Sequence, residues 1–144
     1  MRNRLATTTM EKPFDCGLLA DRHHGLTEGV RGLLESRFHT VVMVADARSL
    51  QESAGGLQPA LVVADISLAR DSSLRWLQQL RRRCPQMKLI VLSFHDEPSV
   101  RRAAIEAGAD GFVLTRTIAT HLLPAVESVM PGRRDAASDH EESR

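Results

Sequence analysis

Asp21 and Asp65 each stand directly after a short apolar run, at 16–20 and 60–64, and Ser93 closes a third run at 88–93. Arg22 adjoins the first aspartate, and Thr115 and Arg116 follow a further run at 111–114. A carboxylate can attack phosphorus and become an acyl phosphate. A hydroxyl and a cation can hold the transferred oxygens. A second carboxylate can help to hold Mg2+, a hard ion that prefers oxygen ligands and keeps several waters. If the runs are neighbouring strands, Asp21, Asp65, Ser93, Arg22 and Arg116 converge on one rim, and that rim suits phosphoryl chemistry. Singly these residues say little, since an acid after a strand is commonly a turn former or a helix cap.

The elements that must position them alternate five times. The run at 16–20 is followed by Leu26, Val30, Leu33 and Leu34 at helical spacing. A β-branched run at 40–45 predicts the second strand, and a short helix near 47–53 is expected to stop at Gly55 and Gly56. Pro59 opens the strand at 60–64, and a helix over 71–83 follows, capped by Asp71 or Ser72 with Pro85 beyond its end. After the strand at 88–93, a helix starts near Pro98, carries Val100, Ala103, Ala104 and Ala107 on one face, and ends at Gly108. The last strand, 111–114, leads to an amphipathic helix through Ile118, Leu122, Ala125, Val126 and Val129, stopped by Pro131 and Gly132. Strands apolar on both faces, alternating with helices, predict an α/β fold with a parallel five-stranded sheet covered on both sides. Such sheets place their sites at the carboxyl ends of the strands, where the strand order reverses. The expected organisation is a polar, disordered start at 1–14, one domain over 15–130, and a disordered polar tail at 131–144.

Composition narrows the classes. The 144 residues suffice for one domain; 42% are apolar and 26% charged, while aromatics are only 3%, so the core is aliphatic. A net charge of +1 lacks the basic bias of a nucleic-acid partner. The cluster Arg81, Arg82 and Arg83 is read as a solvated helix end complementing the helix dipole. Cys16 and Cys84 match no zinc or redox spacing and are expected to be buried thiols in a reducing compartment. No apolar run reaches the ~20 residues of a membrane span, and the start lacks the apolar stretch of a secretory signal. The expected location is therefore cytoplasmic. His23 and His24 are adjacent, and His39, His95, His121 and His140 share no ligand spacing, so the histidines are read as surface or capping residues. Gly25, Gly29 and Gly32 do not fit a nucleotide loop. Trp76 lies off the stripe of Leu74, Leu77 and Leu80, which predicts a half-buried ring at the helix margin.

Taken together, the stretches around these residues resemble a known family. Leu18-Leu19-Ala20-Asp21-Arg22-His23, with Glu28-Gly29-Val30-Arg31 behind it, resembles the opening of response-regulator receiver domains of two-component signalling, most of all the branch that often carries a helix-turn-helix output. Pro59-Ala60-Leu61-Val62-Val63-Ala64-Asp65-Ile66 resembles the phospho-acceptor strand, Val91-Leu92-Ser93 the strand with the hydroxyl switch, and Ala107-Gly108-Ala109-Asp110-Gly111-Phe112 the approach to the fifth strand. The separations of 44 residues from Asp21 to Asp65, 28 from Asp65 to Ser93 and 19 from Ser93 to Phe112 agree with it. The resemblance implies the flavodoxin-like (βα)5 receiver fold. It implies phosphorylation on Asp65, switching by Ser93 and Phe112, an acidic pocket begun by Asp21, and no enzymatic role. It also implies a histidine kinase or another signalling protein as partner. Homodimers through helices four and five, or one and five, are in keeping with it.

Four departures bear on the chemistry. The second acid of the family's pair, a metal ligand, is Arg22 here. The family's lysine 22 residues after the switch hydroxyl is Thr115, and the proline after that lysine is Arg116. The Met-Pro and Gly that follow the acceptor are Leu68, Ala69 and Ser73. Mg2+ is therefore expected to bind Asp21 and Asp65 only weakly. Either Arg22 clasps Asp65, since a guanidinium suits a bidentate hold on carboxylate, or Arg22 points to solvent and the site has lost its function. The expected role is an atypical, stand-alone receiver without a DNA-binding domain, acting by protein–protein contact from a degenerate pocket. The alternatives are a working Asp65 switch with weakened Mg2+ binding and, less favoured, an unrelated α/β enzyme.

Overall fold

The computed structural model describes residues 12–71 and 73–130. In chain order it runs β1 (Phe14–Ala20), α1 (His24–Glu35), β2 (Phe38–Val44), α2 (Ala47–Leu57), β3 (Leu61–Asp65), α3 (Arg75–Arg83), β4 (Lys88–Ser93), α4 (Pro98–Ala107), β5 (Gly111–Leu114), a 3-10 turn (Thr115–Thr117) and α5 (Ile118–Val129). The five strands form one sheet in the order β2-β1-β3-β4-β5, and every neighbouring pair is parallel. The parallel sheet is the one expected from the alternation of apolar runs and amphipathic stretches, and its order is the flavodoxin-like one that the resemblance implied. The order reverses between β1 and β3, so the crevice beyond their carboxyl ends is where a site belongs.

Successive residues of a strand face opposite sides, and the two faces bury two separate cores. Leu18, Ala20, Val62, Ala64, Leu89 and Val91 pack with Leu50 of α2, Leu77 of α3 and Ala104 of α4. Leu19, Leu61, Val63, Ile90 and Leu92 pack with Leu34 of α1 and Leu122 of α5. Both cores are mainly aliphatic, with Trp76 in the first and Phe14 and Phe38 in the second.

The boundaries moved where local chemistry was misjudged. β1 begins at the buried Phe14, one residue before the expected domain start, because its ring stacks on Phe38 at 5.1 Å. Met130 is buried at the expected end of the domain; of the disordered start expected at 1–14, residues 1–11 lie outside the described residues, as do the tail expected at 131–144 and the cap at Ser72, while Phe14 belongs to β1. α2 does not stop at Gly55 and Gly56 but runs through both to Leu57, and Gln58 ends it at a left-handed φ of 49°. Buried Leu50 and Ala54 hold this helix on the sheet, and that packing outweighs the glycine cost. α3 starts at Arg75, later than expected: Asp71 accepts the Ser73 N–H at 3.0 Å in a local turn and caps nothing. Trp76 is 3% exposed, a core residue and not a margin one. Cys16 and Cys84 are half-buried, less enclosed than expected.

Arg81 is the largest correction. Its guanidinium is not solvated but donates to the Gly108 carbonyl from Nε and Nη2 at 3.1 and 2.8 Å, and to the Met87 carbonyl from Nη1 at 2.6 Å. Nη2 also meets Asp110 Oδ2 at 2.6 Å, and the same oxygen accepts the Leu89 N–H at 2.9 Å. One side chain thus ties the end of α3 to the start of β4 and to the turn between α4 and β5. Gly108 accommodates this with a φ of +125°; a Cβ there would sit 3.1 Å from Arg81 Cβ.

Candidate functional site

β1 and β3 are in register with Ala20 beside Ala64, so Asp21, just past β1, and Asp65, the last residue of β3, stand side by side. Both residues are 4% exposed. The Asp21 N–H still donates to the Val44 carbonyl at 3.1 Å, which holds the strand direction past its last ladder residue. Asp21 Oδ1 then accepts the His23 N–H at 2.8 Å and turns the chain into α1.

His23 sits at the N-cap position of α1, but its side chain caps nothing. The ring folds back instead, with Nδ1 3.3 Å from Asp65 Oδ2 and 3.5 Å from Asp21 Oδ1. Asp65 is held from its other side by Ser67. The Ser67 N–H and hydroxyl both approach Oδ1 at 3.1 Å, and the hydroxyl is equally 3.1 Å from Oδ2. Burial pushes the Asp21 carboxyl above the usual carboxylate range; the His23 N–H works against this, and the nearby Asp65 charge adds to the rise.

The remaining rim residues divide. Ser93 is fully buried at the end of β4, and its hydroxyl is engaged within its own loop: it accepts the His95 N–H at 2.9 Å and donates to the His95 carbonyl at 3.1 Å. Thr115 is buried after β5. Phe112 is half-buried against the first core, with the Arg101 guanidinium 5.3 Å from its ring centroid. The two arginines expected on the rim are elsewhere. Arg116 is exposed and pairs with Asp96 at 3.0 Å, and Arg22 is exposed and makes no ion pair with Asp65. Of the two fates open to Arg22, the clasp is not the one formed; His23 takes the place beside Asp65.

Sequence reasoning missed His23 and Ser67. A signal existed: each lies two residues after an aspartate that ends a strand, and aspartate characteristically bonds the backbone two residues on. For a metal, Asp21, His23 and Asp65 each offer one ligand atom, and these atoms lie within 4.8 Å of one another. The two carboxylates fit Mg2+; the imidazole does not, because Mg2+ takes oxygen donors.

With this geometry in view, the comparisons with known proteins are specific. The family model of the response regulator receiver domain matches residues 18–127. The transcriptional regulatory protein DegU of Brevibacillus brevis is 29% identical over 117 residues, covering 80% of this chain and 50% of the relative. The transcriptional activator protein ExaE of Pseudomonas putida is 33% identical over 126 residues, covering 80% and 55%. The chain thus spans about half the length of these curated relatives. Among solved structures, a LuxR-family two-component response regulator from Aurantimonas sp. SI85-9A1 superposes with a TM-score of 0.72 at 24% identity, covering 89% of this chain and 96% of that one. The isolated REC domain of RcsB from Salmonella enterica serovar Typhimurium gives 0.70 at 22%, covering 79% and 85%.

Proposed function

The chain belongs to the response regulator receiver domain family of two-component signalling, and from that premise we propose that it is an atypical receiver that signals through protein–protein contact without depending on phosphorylation of Asp65. The observation that carries this reading is the state of the acceptor carboxylate. Asp65 already has His23 Nδ1 at 3.3 Å from one oxygen and the Ser67 hydroxyl at 3.1 Å from both. A receiver's acceptor needs a cation to neutralise the incoming phosphoryl group and donors to hold its oxygens. Here Arg22 replaces one metal-ligating acid, Thr115 replaces the ammonium, and neither Arg22 nor Arg116 turns inward to compensate. Mg2+ binding at Asp21 and Asp65 is weak on this reading. Phe112, with Arg101 stacked on it, stays in one position, and the face made by α4, β5 and α5 presents one conformation to a histidine kinase or another signalling protein.

A second reading is favoured by one fact: Asp65 and Ser93 remain buried at the carboxyl ends of adjacent strands. That pair supports a working switch with weakened Mg2+ affinity. Intact-mass spectrometry after incubation with acetyl phosphate, with and without Mg2+, separates the two. The proposed reading expects no phosphoryl adduct in either condition. An Mg2+-dependent adduct, absent from the Asp65→Asn variant, would establish the switch instead.

A further inference from the structure

We propose that the cavity at the amino-terminal ends of β3 and β4 is a binding site for a small carboxylate carried on an apolar body, with Arg83 pairing with the carboxylate. The last turn of α2, the loop into β3 and the segment from the end of α3 into β4 together enclose about 550 Å3. That lies within the roughly 300–1,000 Å3 of small-molecule sites. The cavity is separate from the acceptor pocket. Ala60 lines it just before β3 begins, whereas Asp65 ends that strand, on the order of 16 Å further along extended chain.

The walls set the chemistry of the ligand. Pro59, Ala60, Pro85 and Met87 present carbon, and Met87 and Cys84 add polarisable sulfur, which suits an aliphatic or aromatic body. The prolines bring no N–H. The N–H groups of Gln58, Ala60, Cys84 and Met87 already donate to the carbonyls of Ala54, Cys16, Leu80 and Cys84. These residues keep no backbone donor for a ligand, so recognition of charge falls to a side chain. Arg83 reaches from α3 to α2: a Cβ on Gly55 would lie 3.0 Å from Arg83 Nη2 and 3.2 Å from Nε. Glycine at 55 is what lets the guanidinium lie there, against the wall of the cavity. Arg81 spends its donors on the Gly108 and Met87 carbonyls and on Asp110, whereas Arg83 has no carboxylate partner among the described residues. A guanidinium pairs with a carboxylate through two parallel bonds. An unspent fork beside carbon walls therefore matches a carboxylate joined to an apolar body, and a bare inorganic anion would leave those walls unfilled.

The proposal does not rest on the reading of Asp65, and its test reads a different part of the chain. The probe is 4-phenylbutyrate, followed in 15N–1H correlation spectra of the full chain, with acetate and the neutral 4-phenylbutanol for comparison. Expected are saturable shifts centred on Gly55, Gln58, Ala60, Cys84 and Met87. Alkylation of Cys84 by iodoacetamide, read by peptide mapping, should slow when the probe is bound. Arg83→Gln changes an exposed side chain, and circular dichroism checks that the variant is folded. It should weaken 4-phenylbutyrate binding about five-fold, the order of an exposed ion pair, and leave 4-phenylbutanol unchanged. Binding untouched by Arg83→Gln, or equal for the acid and the alcohol, would show a recess that takes apolar matter without reading charge. Acetate binding as strong as that of 4-phenylbutyrate would show a surface anion contact only. Either result, or no saturable shift at the cavity with 4-phenylbutyrate in large excess, overturns the proposal.

Discussion

Asp21 bears an electrostatic cost that can be measured. Its folded-state carboxyl is raised above the ordinary value, chiefly by burial, so the folded protein holds this proton more tightly than the unfolded chain does. The stabilisation from that proton is complete below the ordinary carboxylate value and is lost as pH rises through the raised one. At neutral pH the ionised group therefore opposes folding. Asp21→Asn keeps an oxygen to accept the His23 N–H and removes the charge, so urea unfolding at pH 7 should show a higher midpoint than wild type. The gap should close as pH falls toward the ordinary carboxylate value. Ser67→Ala removes a hydroxyl from Asp65 and leaves the Ser67 N–H bond, which predicts a loss of about 1 kcal/mol in the same measurement. The sequence showed Asp21, Asp65 and Ser93 because a polar residue ending an apolar run is marked by its position alone. It did not show that His23 would outcompete Arg22. Side-chain direction alternates along extended chain, so the residue two after Asp21 returns to the side of the carboxylates while the residue between them faces solvent.

At the scale of elements, the alternation of strands with helical stretches located the five α-helices, while their ends followed chemistry that spacing does not report. Gly55 and Gly56 looked like a stop, yet α2 passes through them, and a Cβ on Gly56 would meet nothing within 4 Å. Gly56→Ala should accordingly stabilise the protein by about 0.5–1 kcal/mol, seen as a higher thermal midpoint. The arginine cluster at the end of α3 looked uniform, but burial distinguishes its members: Arg81 reaches two elements distant in sequence. Arg81→Ala leaves the Gly108 and Met87 carbonyls and the Asp110 carboxylate short of a donor. The expected loss is about 2–3 kcal/mol by urea denaturation, and Arg81→Lys should restore only part of it, since an ammonium cannot make the forked contacts.

The whole molecule is a receiver fold in which the Ser93 hydroxyl is engaged within its own loop and Asp65 is held by His23 and Ser67. The parallel five-stranded sheet was legible in five apolar runs separated by helices, whereas its strand order was implied only by the family resemblance. The engagement of the pocket was not legible, because it depends on turns only two residues long. The central claim is that the region from Ser93 through α5 does not respond to a phosphoryl group at Asp65. Beryllofluoride forms a stable mimic of an acyl phosphate on such aspartates, so slow phosphorylation or rapid hydrolysis does not obscure the result. The measurement is a 15N–1H correlation spectrum of the chain titrated with beryllofluoride in excess Mg2+. Unchanged resonances for Ser93, Phe112 and α5 are the predicted result. Saturable shifts that begin at Asp65, spread through Ser93 and Phe112 into α5, and vanish in Asp65→Asn would contradict the account.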